Sequence, residues 1–155
     1  MFEVRTIKPE MTYKIRHNVL RPYQTIEDCK YDTDNEDKAF HVGAFYLGKL
    51  ISVASFCVER NPDFPIEKQY RLRAMATIED FRKLGAGRTV VNYAENLIKK
   101  QGFNFLWCKG RTNVLGYYNK LGFKVYGEVF DYPSIGPHII MYKELGVIKE
   151  RHHKY

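Results

Sequence analysis

Sulfur chemistry is nearly absent from this chain. Three cysteines, Cys29, Cys57 and Cys108, are spread over 155 residues and form neither a C-x-x-C pair nor a metal-ligand spacing. That argues against a disulfide framework, a zinc site and a dithiol redox centre. Cys57 and Cys108 lie inside apolar runs and read as reduced core residues, which fits a reducing compartment. No apolar run approaches the length of about 18 residues that a membrane helix needs, and no leader pattern opens the chain, so the expectation is a soluble cytoplasmic protein without membrane contact. Neither G-x-x-x-x-G-K-[ST] nor G-x-G-x-x-G occurs, which removes the two common nucleotide loops. Repeats and linkers are also missing.

What is present fits one domain over residues 1–145, followed by a charged tail, 146–155. A chain this long buries about 70% of its unfolded surface and needs no covalent staple. The net charge of +7 suggests an anionic partner, either nucleic acid or a phosphorylated cofactor, although a solvated basic surface gives the same number. The 25 basic residues are interleaved with 18 acidic ones rather than gathered in a stripe, and no reader helix or aromatic RNA motif appears, so nucleic acid is not expected.

The patterning predicts the order β-α-α-β-β-β-α-β-α-β-β. Phe2 to Ile7 alternates as a strand, and Met11 to Leu20 reads as an amphipathic helix. Arg21 to Lys38 is polar, either a short helix or an irregular loop. Ala39 to Leu47 and Leu50 to Glu59 form a hairpin around Gly48-Lys49. Asn61 to Pro65 is a loop, and Tyr70 to Thr77 a strand. Arg88 to Gln101 is a helix with Val90, Val91, Ala94, Leu97 and Ile98 on one face. Phe103 to Lys109 is a strand, Val114 to Leu121 a short helix, Phe123 to Phe130 a strand, and His138 to Leu145 the last strand. The fold class is therefore α/β of the α+β type, with a mixed sheet rather than a doubly wound parallel one.

Arg82-Lys83-Leu84-Gly85-Ala86-Gly87 lies between the strand at Tyr70 to Thr77 and the helix from Arg88. A helix N-terminus leaves backbone N–H groups unpaired and carries partial positive charge, so such a turn can hold phosphate. Gly85 and Gly87 allow close backbone approach, and Arg82, Lys83 and Arg88 add full charge. The plainer alternative is a glycine-eased helix start with solvated charges.

Two blocks make the chain resemble the GCN5-related N-acetyltransferase (GNAT) superfamily. One is Arg73-Ala74-Met75-Ala76-Thr77 followed by the R-x-x-G-x-G loop. The other is Asn113 to Phe123, which looks like the family's helix and following strand of the type N-x-x-A … Y-x-x-x-G-F, read here as Asn113-x-x-Gly116 and Tyr118-x-x-x-Gly122-Phe123. Asp32-Thr33-Asp34 with His41, and Ser134 to Met141, resemble the ElaA-like branch. Gly116 replaces the usual Ala, and Thr77 stands where an aliphatic residue is common; neither change removes a needed chemical group.

The resemblance implies a mostly antiparallel sheet with helices on both faces, splayed after the strand that precedes the loop. It also implies acetyl-CoA as donor, a primary amine as acceptor, direct transfer and no metal. Within it, the amides of Arg82, Lys83, Leu84, Gly85, Ala86, Gly87 and Arg88 would carry the pyrophosphate, with Arg82 either contacting it or bracing the loop. The backbone of Ala74, Met75 and Ala76 would pair with pantetheine and polarise the thioester carbonyl. Tyr118 would give the leaving thiolate a proton, unless Tyr118 packs in the core and Tyr117 faces the site. Asn113 would cap its helix and touch the cofactor.

The amine must lose a proton to a base or a water chain; Glu79, His138 and His41 are the candidate bases, each with an ordinary structural alternative. The loops Arg21 to Lys38 and Asn61 to Lys68 would shape the acceptor pocket, so a polyamine, an amino acid, an antibiotic or a protein amine stays open. A homodimer is expected by base rate, and a non-catalytic acyl-CoA sensor is the rival function.

Overall fold

The computed structural model describes residues 1–133 and 135–146; Ser134 and most of the expected tail lie outside the described residues. Seven strands form one sheet: β1 (Glu3–Ile7), β2 (Phe40–Tyr46), β3 (Lys49–Val58), β4 (Tyr70–Thr77), β5 (Phe105–Arg111), β6 (Lys124–Tyr132) and β7 (Gly136–Glu144). The spatial order is β1-β2-β3-β4-β5-β7-β6. Every neighbouring pair is antiparallel except β4 and β5. That parallel pair is joined through helix α2 (Ala86–Lys100), as a crossover requires. The expected mixed, mainly antiparallel class is what the chain adopts.

Alternation along the strands separates two faces. Leu106 and Cys108 point into the main core, with Val42, Ala54, Phe56 and Leu72, under Val90, Val91, Ala94 and Ile98 of α2. Phe105 and Trp107 point the other way and pack with Phe64 from the loop before β4. Val53 and Ala76 also turn away from α2, onto Ile15 of the first helical stretch. Helical segments thus cover both faces.

The predicted first helix is a composite. A 3₁₀ turn (Pro9–Thr12) leads into one α-turn, α1 (Tyr13–Ile15), and then a widened π-type turn (Arg16–Leu20), where the Arg21 N–H reaches back to the Arg16 carbonyl at 3.1 Å. The polar stretch Arg21 to Lys38 contains two 3₁₀ turns, Glu27–Cys29 and Asp32–Asn35, and no longer helix.

Candidate active site

Helix α2 begins at Ala86, two residues before its sequence expectation, with Gly85 at the cap position in the left-handed region (φ +88°). Lys83 shares that handedness (φ +65°). The two together fold the chain so that the amides of Lys83, Leu84, Gly85, Ala86, Gly87 and Arg88 find no acceptor among the described residues; the Thr89 N–H is the first to bond, to the Gly85 carbonyl. The result is an anion-binding concavity at a helix head. A side chain at Gly87 would overlap the Tyr117 hydroxyl, so the exposed Tyr117 ring would have to swing away to admit one. Arg82 braces the turn, its Nε donating to the Thr77 carbonyl at 3.3 Å, and Arg88 ties α2 to the Lys120 carbonyl at 2.8 Å.

The strand entering this turn is irregular. Ser55 pairs with Arg73 and Val53 with Ala76, so Ala74 and Met75 together oppose the single residue Ala54. Ala74 takes φ +52°, a conformation that costs a non-glycine residue about 1–3 kcal/mol. On the other side, β4 meets β5 only at Tyr70–Leu106 and Arg71–Trp107, and from Leu72 onward the strands diverge. Ala74 and Met75 are therefore unpaired in register on both sides. The gap opens a cleft of about 1060 Å³ that runs from the α2 turn through the sheet to its opposite face.

On the α2 side the cleft is lined by Tyr118 from α3 (Leu115–Lys120). Its ring packs edge-on against Phe123 (centroids 5.7 Å apart) and reaches over Gly110 of β5. Burial, with Cys108 and Tyr117 close by, raises the Tyr118 phenol above the tyrosine range. Its hydroxyl has no protein partner among the described residues. Tyr117 is more exposed and rests its hydroxyl on Gly87, so the adjacent tyrosines serve different parts of one wall. Asn113 lines the cleft from the turn before α3, but it does not cap the helix: Val114 holds the cap position, without a side-chain bond. The Cys108 thiol is pushed up to about 12 by burial, which keeps it an unreactive thiol.

Through the gap, on the face away from α2, the lining changes. Arg71 and Arg73 of β4 and Lys109 and Arg111 of β5 stand at two-residue spacing, so each pair shares that face. His138 of β7 pairs directly with Arg111. Its Nδ1 lies 2.9 Å from the Gly136 carbonyl, an acceptor only, so Nδ1 carries the proton and a neutral ring leaves Nε2 as a lone pair without a partner among the described residues. Tyr132 packs on the His138 ring, with centroids 4.8 Å apart.

Glu79 and His41 are not brought to this cleft. Glu79 is exposed in the 3₁₀ turn Glu79–Phe81, outside the lining. His41 is 3% exposed, with Nε2 donating to the Asp34 carbonyl (3.0 Å) and Nδ1 bonded to Ser55 Oγ (2.7 Å). Ser55 Oγ also accepts from Arg16 Nη2 (2.7 Å), and Arg16 makes a bidentate pair with Asp34 (2.7 and 2.8 Å). The Asp32-Thr33-Asp34…His41 pattern therefore builds a buried network that pins the Arg21–Lys38 loop to the sheet. Sequence reasoning passed over Arg71, Arg73, Lys109 and Arg111. The available signal was a pair of basic residues at i, i+2 in each of two otherwise apolar strands.

A sequence model of the acetyltransferase (GNAT) family matches residues 7–123. The uncharacterized N-acetyltransferase YitI of Bacillus subtilis is 50% identical over 145 residues, covering 94% of this chain and 97% of that one. Among solved structures, an aminoglycoside 6′-N-acetyltransferase complexed with coenzyme A superposes with a TM-score of 0.73 at 15% identity, over 96% of this chain and 99% of that one. The Escherichia coli ribosomal-protein-S18-alanine N-acetyltransferase gives 0.71 at 16% identity, over the full length of both chains. Escherichia coli ElaA gives 0.70 at 16% identity, over 93% and 100%, a likeness of fold at the same level as the others. By the family match and the relative that is half identical over nearly its whole length, the chain belongs to the acetyltransferase (GNAT) family and is an acyltransferase.

Proposed function

We propose that the protein moves an acetyl group from acetyl-CoA directly to a primary amine, with both substrates held in the one cleft. The observation that carries this reading is the run of unpaired amides from Lys83 to Arg88, opening onto the same cleft as the bulged, partner-free stretch of β4. Those amides, with Arg82, Lys83, Arg88 and Lys120 around them, fit a diphosphate. The backbone at Ala74 and Met75 is free to pair with an amide-bearing arm and to meet a carbonyl oxygen. Acetyl-CoA supplies the acyl group as an activated thioester.

The remaining chemistry falls to the chain. Holding the amine against the thioester replaces a bimolecular encounter, which is the largest contribution asked of the site. His138 Nε2 takes the proton that the ammonium must lose; of the three candidate bases it alone lines the cleft with a free nitrogen. The amine nitrogen forms a bond to the carbonyl carbon, the carbon–sulfur bond breaks, the Tyr118 hydroxyl delivers its proton to the departing sulfur, and the second proton shed by the nitrogen as the amide forms restores the Tyr118 phenol. His138 then releases the proton it took to solvent. Calorimetric titration with acetyl-CoA, followed by thiol release with an amine panel, tests the proposal. Saturable binding and amine-dependent thiol release are expected. Absence of binding overturns it.

A further inference from the structure

We infer that the acceptor is an amine that also carries a carboxylate, as an amino acid or a peptide acid does, and not a polyamine or another polycation. This rests on the acetyl-transfer reading and goes on to name the substrate class. Nine of the residues lining the cleft are Arg or Lys, and none of its described lining residues is Asp or Glu. Arg82, Lys83, Arg88 and Lys120 are at the diphosphate end. The other five, Arg21, Arg71, Arg73, Lys109 and Arg111, gather at the opposite end, beyond the gap, where a CoA diphosphate held at the α2 turn does not reach.

The partners of these five show charge left over. Arg71 alone has a carboxylate, Glu59, at 3.0 Å, and its Nε is buried without a partner. Arg73 is spent on neutral groups, the Thr33 hydroxyl (3.1 Å) and the Tyr31 ring (4.5 Å). Arg111 donates to the Leu20 carbonyl (3.1 Å), Arg21 to the Tyr31 hydroxyl (3.2 Å), and Lys109 sits over the Tyr132 ring (5.5 Å). Burial alone would raise the Tyr132 phenol; the charges of Arg71, Arg73 and Lys109, with Arg71 nearby, outweigh it and hold the phenol below the tyrosine range.

A planar guanidinium fork suits a carboxylate, and a polycation entering here would meet like charge with no acid to receive it. The same field favours the neutral form of an amine held nearby, which is the nucleophilic form. Anion recognition and amine activation thus come from one set of side chains.

The test begins with the acetyl-CoA titration, so that failure of the underlying reading is separated from failure of this one. Thiol release is then measured for matched pairs: alanine against alaninamide, β-alanine against β-alaninamide, and phosphoethanolamine against ethanolamine, with spermidine as the cationic arm. The carboxylate member of each carboxylate pair is expected to have the higher kcat/KM, by about tenfold, the effect of one charge-assisted hydrogen bond. Arg73→Gln and Lys109→Gln, each checked for an unchanged melt, are expected to raise the acceptor KM by about tenfold and to leave acetyl-CoA affinity alone. Preference for spermidine, alaninamide or phosphoethanolamine over the carboxylates overturns the inference. If no amine on the panel is acetylated, calorimetry of glutamate and succinate on the CoA-loaded protein decides, and absence of heat from both overturns it.

Discussion

The Tyr118 hydroxyl is kept protonated by its surroundings. Burial disfavours the phenolate, and the raised pKa means the proton stays in place through neutral pH and past the ordinary tyrosine value of about 10. Tyr118→Phe should therefore lower kcat by about a hundredfold with little change in KM. The wild-type kcat should show no alkaline fall from this group below pH of about 10, which a pH–rate series would detect. Cys57 and Cys108, pushed up by burial to about 11 and about 12, are neutral thiols at working pH. Cys108→Ala should keep its turnover, and complete loss would demand a covalent route through sulfur. The position of Tyr118 was readable from its spacing to Gly122-Phe123. The free Nε2 of His138 was not, because it depends on the Gly136 carbonyl two residues earlier folding back onto Nδ1.

At the level of elements, the turn between β4 and α2 was legible because glycine, charge and hydrophobic period all change within six residues. Gly85 gives a clean test of it. Nothing lies within 4 Å of where a side chain would project, so Gly85→Ala acts through backbone handedness alone. It should destabilise by about 1–2 kcal/mol in chemical denaturation and weaken acetyl-CoA binding, with Gly85→Asn less harmful on both counts. Elements whose ends depend on contacts were less legible. The β2–β3 turn falls at Leu47-Gly48, one residue before the reading from the sequence, because two consecutive positive φ values match the twist of the hairpin strands. Strand β5 begins two residues later than its apolar run, since Phe103 packs into the core ahead of the ladder. The Ala74 bulge had no sequence mark at all. It sits where β4 shifts register against β3 and has already parted from β5.

The molecule as a whole is held against acid by the buried network under its first loop. Burial lowers the pKa of His41, with Arg16 adding to that effect, although the Asp34 carbonyl and carboxylate pull the other way. Burial would raise that of Asp34, but the bidentate Arg16 lowers it. Both folded values lie below the unfolded ones, so the stability they contribute is present above about pH 6.5 for His41 and about pH 4 for Asp34, and is lost as pH falls below each. The melting temperature should drop as pH goes from 7 toward 4, and His41→Gln should flatten the upper part of that drop. Asp34→Ala strands a buried guanidinium and should cost about 3–5 kcal/mol in chemical denaturation. Saturating acetyl-CoA should raise stability, by about 2.7 kcal/mol at a hundredfold excess over Kd.

The sequence alone determined the strands and helices, the glycine-spaced turn and the resemblance to acetyltransferases, because periodicity, capping and turn chemistry act within a few residues of the chain. Only the tertiary structure decided that β4 and β5 run side by side and then part. That divergence passes one cleft through the sheet and gathers four basic residues from the two strands beside His138, while the packing of the first loop onto the sheet places His41 in a sealed network instead. Such choices belong to strand order and side-chain packing between distant segments, which no local pattern of residues encodes.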